Sequence, residues 1–423
     1  MNMQEMDKQQ LQQLKGELEQ AYAAFKARGL KLNMSRGKPS AEQLDLSAAL
    51  LQPLSDFKDA DGVDVRNYGG LTGIPEARRL FGELMDMPAE QVIIGGTASL
   101  NLMYDTIARA FLHGVLPGKT PWGKLDKVKF LCPAPGYDRH FAICESFGIE
   151  MLPIAMTAEG PDMDAVEKLA ASDSAIKGMW CVPMYSNPDG ITYSEAVVKR
   201  IAALKPAADD FRIMWDNAYG VHHLDANDRD HLANIYTACA AAGNEDMVYM
   251  YASTSKITFA GGGISAMAAS PANIAYTVKQ LGVQTISYDK VNQLRHCRFL
   301  PDKAAVDKHM ARHAAVLKPR FDIVLQALAQ QIAPLRIGEW HQPKGGYFVS
   351  YYALPGTARR IVELCKQGGV ELTGAGAAYP YKNDPDDSNI RIAPSYPSVD
   401  ELKQAMELFC IACKLAAAEK LLG

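Results

Sequence analysis

The chain has 423 residues, 48% of them hydrophobic and 22% charged, and carries a formal net charge of −4. At roughly 150 residues per domain this length holds two or three domains, and the composition excludes an intrinsically disordered chain. The slightly acidic balance argues against a protein built to hold nucleic acid or an anionic membrane.

Eight cysteines, at 132, 144, 181, 239, 297, 365, 410 and 413, show no framework spacing. Cys410 and Cys413 are the only close pair, and a redox or zinc reading needs a second pair or a βαβ context beside them. Small buried or semi-buried thiols in a reducing compartment, with no metal site, are expected. The first thirty residues are rich in Gln, Glu and Lys and lack the apolar core of a signal peptide. The longest uncharged stretch, Ile257 to Val278, contains Gly261-Gly262-Gly263, Pro271 and Asn273 and is too polar for a transmembrane helix. A cytoplasmic protein with no membrane partner is expected.

From Gln4 to Arg28, Leu11, Leu14, Leu18, Tyr22 and Phe25 recur at helical spacing, which predicts an amphipathic helix. Asn33 to Asp45 reads as loop around Gly37-Lys38-Pro39. Between about 90 and 270 short apolar strands alternate with amphipathic helices. Val92 to Ile94, Val128 to Leu131, Ile149 to Ile154, Gly178 to Val182, Phe211 to Trp215 and Met247 to Tyr251 are predicted strands. Ala98 to Phe111, Arg139 to Phe147, Asp164 to Ala171 and Glu195 to Leu204 are predicted helices. This alternation predicts an α/β fold with a doubly wound, mostly parallel sheet, whose ligand sits at the carboxyl ends of the strands. A long helix from Ala304 to Gln331, strands near Tyr347 to Tyr351 and Ile390 to Ile392, and a helix from Val399 to Leu422 read as a smaller α+β domain. The expected division is 1–50 as an N-terminal helix and loop joining the small domain, 51–304 as the large domain and 305–423 as the small one.

The residues with chemistry lie just past the predicted strands. Gly95-Gly96-Thr97-Ala98-Ser99 opens a helix, where free N–H groups and the positive end of the dipole suit a phosphate, although such turns are also purely structural. Tyr137, in Pro133-Ala-Pro-Gly-Tyr137, either stacks on a flat ligand or fills a loop core. Asn187, in Asn187-Pro-Asp-Gly190, either donates to a ligand oxygen or caps its turn. Asp216 ends a nearly all-apolar strand, where an unpaired carboxylate is costly and demands a partner. Ser253-Thr-Ser255-Lys256 ends the next strand with a lysine, which in a partly dry pocket can lose its proton and form a Schiff base.

The ordered set of Gly-Gly-Thr, Pro-x-x-x-Tyr, Asn-Pro-Asp-Gly, Asp-x-Ala-Tyr, Ser-x-Ser-Lys and the late Asn389-Ile-Arg391-Ile resembles the fold-type-I aminotransferases that use pyridoxal 5'-phosphate. Ser35-Arg-Gly-Lys-Pro39, Tyr137-Asp-Arg-His-Phe141 and Asn292-Gln-Leu-Arg-His296 are similar to a distinct aspartate aminotransferase subgroup. That subgroup also resembles the aminotransferase-like half of certain bacterial transcription regulators. The resemblance implies that Lys256 holds the cofactor as a Schiff base and then moves the proton, while Asp216 faces the pyridine nitrogen. It implies Tyr219 and Asn187 at the phenolic oxygen and Tyr137 on the ring face. Gly96, Thr97, Ala98, Ser99, Ser253 and Ser255 would lie at the phosphate, with Tyr68 reaching over from a second subunit of a homodimer. Arg391 would bind the α-carboxylate of amino-acid and 2-oxo-acid substrates under the Gly37 loop, with Asn187 beside it.

One departure is visible. Ala260-Gly261-Gly262-Gly263-Ile264-Ser265 lacks the arginine that many relatives carry there for the phosphate. A dicarboxylate substrate also needs a second cation, for which Arg36, Arg139, Arg295 and Arg298 are candidates, Arg295 or Arg298 by reaching across a dimer interface. Aspartate:2-oxoglutarate transamination is the expected activity. An aromatic or alanine aminotransferase, a β-lyase or decarboxylase, and a non-catalytic sensor are the rival readings.

Overall fold

The computed structural model describes residues 2–423. The N-terminal segment forms helix α1 (Lys8–Lys26), strand β1 (Leu32–Asn33) and the short helix α2 (Ala41–Asp45). Helix α1 begins where the Asp7 carboxylate accepts the Gln10 N–H while the Gln10 side chain returns to the Asp7 backbone, satisfying two of the donors a helix start leaves free. Its buried stripe of Leu11, Leu18 and Phe25 joins the core of the C-terminal residues. Helix α2 lies inside the segment read from sequence as loop, and a Ser40–Gln43 capping box starts it.

The middle of the chain supplies α3 (Pro75–Met85), β2 (Val92–Ile94), α4 (Ser99–His113), β3 (Lys129–Ala134), α5 (Asp138–Ser146), β4 (Glu150–Thr157), β5 (Gly160–Pro161), α6 (Met163–Ser172) and β6 (Ile176–Cys181). It continues with α7 (Glu195–Ala202), β7 (Arg212–Asp216), α8 (Ile235–Ala241), β8 (Val248–Ser253), β9 (Ser265–Ala269), α9 (Pro271–Gln284) and α10 (Lys290–Phe299). The last third holds α11 (Lys303–Gln331), β10 (Gly338–Trp340), β11 (Val349–Ala353), α12 (Ala358–Gln367), β12 (Val370–Glu371), β13 (Asn389–Ile392) and α13 (Val399–Leu422).

Eight strands form one sheet in the order β2-β9-β8-β7-β6-β3-β4-β5. Every pair from β8 through to β4 is parallel, and β9 runs antiparallel to both its neighbours. Strands β6 and β7 are buried along their whole length, as expected of a parallel sheet covered on both faces. Two apolar clusters, one centred on Val198, Ile213 and Val248 and the other on Phe130, Trp180 and Met214, cover those faces. This arrangement is the doubly wound sheet that the sequence predicts. Because β2, β3, β6, β7 and β8 run the same way, Gly95–Ala98, Tyr137, Asn187, Asp216 and Lys256 all fall at one edge.

The C-terminal residues build a second, smaller body. Strands β10-β11-β13 form an antiparallel sheet in which Ser350 pairs with Arg391. Strand β1 pairs in parallel with β12, Leu32 opposite Val370, and so ties the N-terminal segment to this body. All eight cysteines are buried thiols. No helix among the described residues is long and apolar enough to cross a membrane.

Candidate active site

A cavity of about 480 Å³ opens between the carboxyl edge of the large sheet and the smaller body. Tyr137, Asn187, Tyr219 and Lys256 line it from the sheet side, while Phe348, Thr373 and Arg391 line it from the other. The 35–38 loop closes one wall. Gly37 has to be glycine there, because a Cβ at that position would stand 2.4 Å from Phe348 Cζ.

Asp216 is 2% exposed, at the end of β7. Its Oδ2 accepts from His140 Nε2 at 3.1 Å, and its Oδ1 is buried with no partner. His140, one turn into α5, is itself buried and stacks on Trp180 at 4.3 Å between ring centroids. The sequence signals Asp216 but not His140, since a histidine on an apolar helix face is usually just a packed core residue. Its one distinguishing mark is its place three residues after Tyr137.

Lys256 lies in a turn just beyond β8, with its amine over the Tyr219 ring at 4.9 Å. The side chain stays partly accessible through the cavity, yet the packed atoms around it hold its pKa below the ordinary lysine value, against the opposing pull of Asp216. Burial likewise pushes the Tyr219 hydroxyl well above its usual range and Tyr137 up to about 12, with Asp216 adding to both. Tyr219 and Tyr137 therefore stay protonated donors at neutral pH.

Arg391 is 9% exposed on β13. One terminal nitrogen donates to Asn187 Oδ1 at 3.1 Å and Asp138 Oδ1 at 3.2 Å, and the other to Thr373 Oγ1 at 3.2 Å. Its guanidinium sits over Phe348 at 4.9 Å, and its Nε is buried without a partner. Thr373 donates in turn to the Ser35 carbonyl, which anchors the guanidinium to the cavity wall. Thr373, Asp138 and Phe348 were not legible from sequence, because strands far apart in the chain bring them together.

Helix α4 is the other half of the site. Most long helices here are capped by an Asp, Ser or Asn side chain, but α4 starts at Ala98 with no side-chain cap. The Asn101 N–H donates to the Ala98 carbonyl at 3.1 Å, and the N–H groups of Ser99 and Leu100 are left for something else to fill. Ser255 Oγ donates to the Thr97 carbonyl at 3.1 Å and Ser253 Oγ to Ser255 Oγ at 3.2 Å, so the two serines meet the Gly96–Ser99 turn. Where the arginine is missing, Ser265 Oγ donates to the Gly96 carbonyl at 2.8 Å instead. The Asn292 amide holds the Gly262 and Gly263 carbonyls at 3.0 and 3.1 Å.

These residues fit pyridoxal phosphate. An orphaned buried carboxylate oxygen suits a protonated ring nitrogen, a lysine of lowered pKa suits an aldehyde, and an uncapped helix start flanked by hydroxyls suits a phosphate. Tyr68 is not in this cavity: it is 80% exposed, and Lys290 Nζ donates to its carbonyl at 3.4 Å. Of the candidate cations, Arg36 and Arg139 line the cavity and are exposed. Arg298 instead donates to the Lys58 carbonyl at 3.2 Å and lies 3.7 Å from Asp56, and Arg295 is outside the cavity lining.

A doubly wound sheet with a lysine past one strand and a carboxylate at the end of its neighbour defines the class of the fold-type-I aminotransferases. Comparison with known proteins makes this specific. The profile of the aspartate amino-transferase family matches residues 6–423. The chain is 44% identical over 420 residues to the aspartate aminotransferase of Corynebacterium glutamicum, covering 99% of this chain and 97% of that one. A Mycolicibacterium smegmatis protein named as an aminotransferase is 50% identical over 406 residues, 95% of each chain. The crystal structure of an aspartate transaminase from Corynebacterium glutamicum superposes with a TM-score of 0.96 at 44% identity, covering 100% of this chain and 99% of that one. The chain belongs to the aspartate aminotransferase family and is an aminotransferase.

Proposed function

We propose that the chain transfers the amino group between aspartate and 2-oxoglutarate with pyridoxal 5'-phosphate held on Lys256. The observation that carries this is Asp216, buried with one oxygen free and electrostatically coupled to Lys256. When bound, the cofactor supplies the electron sink that makes an amino acid's α-proton removable. The protein's residues do the rest. Asp216 Oδ1 would be the carboxylate oxygen that holds a proton on the cofactor's ring nitrogen, and His140 holds the carboxylate in place through Oδ2. The Lys256 amine, whose pKa the atoms packed around it hold below the ordinary lysine value, is the group placed to take and return a proton. Arg391 presents a planar fork that a carboxylate meets with two parallel hydrogen bonds, and its free Nε is one of the donors. Tyr219 and Tyr137 stay protonated and donate. Gly96, Thr97, Ala98, Ser99, Ser253 and Ser255 hold the phosphate.

The exposure of Tyr68 supports a homodimer in which each subunit offers this residue to its neighbour's phosphate. The division at 1–50, 51–304 and 305–423 and a cytoplasmic location complete the reading. Arg139 and Arg36 are the cations for a distal carboxylate, because they line the cavity with Arg391 and make no ion pair with a carboxylate among the described residues.

The test is glutamate formation from aspartate and 2-oxoglutarate by the cofactor-loaded protein. Turnover with alanine or an aromatic amino acid, and none with aspartate, overturns the substrate. Arg391→Lys is expected to raise KM for every amino acid by about 30-fold or more, the size expected when a partner of a buried charge pair is altered. Arg139→Leu and Arg36→Leu are expected to raise KM for aspartate and 2-oxoglutarate by about tenfold while sparing alanine. Equal effects on alanine and aspartate would remove both arginines from the distal role.

A further inference from the structure

The turn that carries Lys256 leaves two backbone carbonyls, those of Lys256 and Ile257, with no backbone N–H among the described residues donating to them. Buried carbonyls require donors, and side chains from three other segments supply them. His222 Nε2 donates to the Lys256 carbonyl at 3.3 Å, and the Tyr347 hydroxyl approaches the same oxygen at 3.5 Å. His309 Nε2 lies 2.9 Å from the Ile257 carbonyl and 3.1 Å from His313 Nε2.

The protons in this network are fixed from one place. Gln43 Oε1 accepts the Ser40 backbone N–H at 3.1 Å, so the amide can point only one way. Its Nε2 then donates to the Tyr347 hydroxyl at 3.0 Å and to His313 Nδ1 at 3.1 Å. A hydroxyl that accepts from Gln43 keeps its own proton for the Lys256 carbonyl. An imidazole that accepts at Nδ1 carries its proton on Nε2, which stands 3.1 Å from His309 Nε2. Gln43, His313 and Tyr347 have no solvent exposure. Burial pushes His222 down to about 3 and His313 to about 4, with Lys256, His309, His223 and Arg312 adding to the effect, so these rings are neutral at pH 7.

We propose that Gln43 and Tyr347 are positioning residues that set where the Lys256 amine stands, by ordering the hydrogen bonds on the backbone of its turn. Neither residue lines the substrate cavity. Gln43 comes from α2 and Tyr347 from the approach to β11, so residues outside the large sheet grip the lysine that the sheet presents. This rests on the reading of Lys256 as the cofactor-bearing amine.

The experiment compares wild type with Tyr347→Phe, which removes one oxygen, and Gln43→Met, which keeps the volume and removes both donors. The readouts are the pH midpoint of the cofactor's visible absorbance, set at the Lys256 amine and its neighbours Asp216 and Tyr219, and the kcat and KM of turnover. Both variants are expected to shift the midpoint by about half a unit or more and to lower kcat about tenfold, with KM within about twofold. A lower melting temperature with midpoint and kcat unchanged would show a purely structural network and overturn the proposal. Wild-type protein with no adduct on Lys256 would instead sink the reading of the site itself.

Discussion

Replacing Lys256 with alanine is expected to lower kcat by about 10⁴-fold or more, the upper range for removing a positioned proton-transfer group, and to leave the chain folded. The side chain lies beside a cavity of about 480 Å³, so its loss enlarges an existing space and opens no void inside a packed core. The turn itself is held through backbone carbonyls, by His222, Tyr347 and His309, and none of these contacts uses the amine. The direction of its pKa is the reason to expect the adduct on this lysine and not on one of the others. An aldehyde combines with an uncharged amine, and burial favours that form of Lys256 at a pH where surface lysines are charged. Borohydride reduction of the loaded protein followed by peptide mass analysis should therefore place the adduct on the Lys256 peptide in wild type, and on no peptide in Lys256→Ala. An adduct on another lysine, or turnover that survives the substitution, would remove Lys256 from its role.

The parts of this site that were legible in the sequence are those where a polar residue breaks an apolar run at a strand end. Asp216 closes Arg212–Asp216, a strand buried along its whole length, and Lys256 follows Val248–Ser253. Period and position expose such residues without any knowledge of contacts. His140, Thr373 and Asp138 sit in helices and loops where their residue types are ordinary, and only the fold brings them to Asp216 and Arg391. Strand β9 went unread because Ser265–Ala269 has small residues with no β-branched or aromatic signal. Helix α9 carries a legible start, with Ser270 capping just ahead of Pro271. Helix α2 carries one too: Ser40-x-x-Gln43 is a capping box, but the prolines and glycine just before it suggested loop. That missed helix holds the glutamine on which the ordering of the lysine's turn depends.

Asp216→Asn is the second large effect, expected to cost about 10³-fold in kcat, within the range for losing one preorganised electrostatic partner, while the cofactor-free chain becomes no less stable. The two halves of that expectation have one cause. Without the cofactor, Asp216 is a carboxylate at 2% exposure with a single partner, His140, and its Oδ1 unsatisfied. A buried polar atom without a partner costs about 1–3 kcal/mol, and a buried carboxylate is costly unless its oxygens are fully hydrogen-bonded. Asparagine keeps the shape and an oxygen acceptor for His140 Nε2 but removes the charge, so the melting temperature of the cofactor-free chain should stay level or rise. With the cofactor, the same removal leaves the ring nitrogen facing a neutral amide that cannot keep a proton on it. Weaker cofactor binding and slow turnover follow. Asp216→Ala makes the contrast sharper, because it also leaves His140 without its acceptor and should lower the melting temperature. A marked fall in stability for Asp216→Asn in the cofactor-free state would mean that the carboxylate holds the fold together, and that its free oxygen is not kept for a ligand.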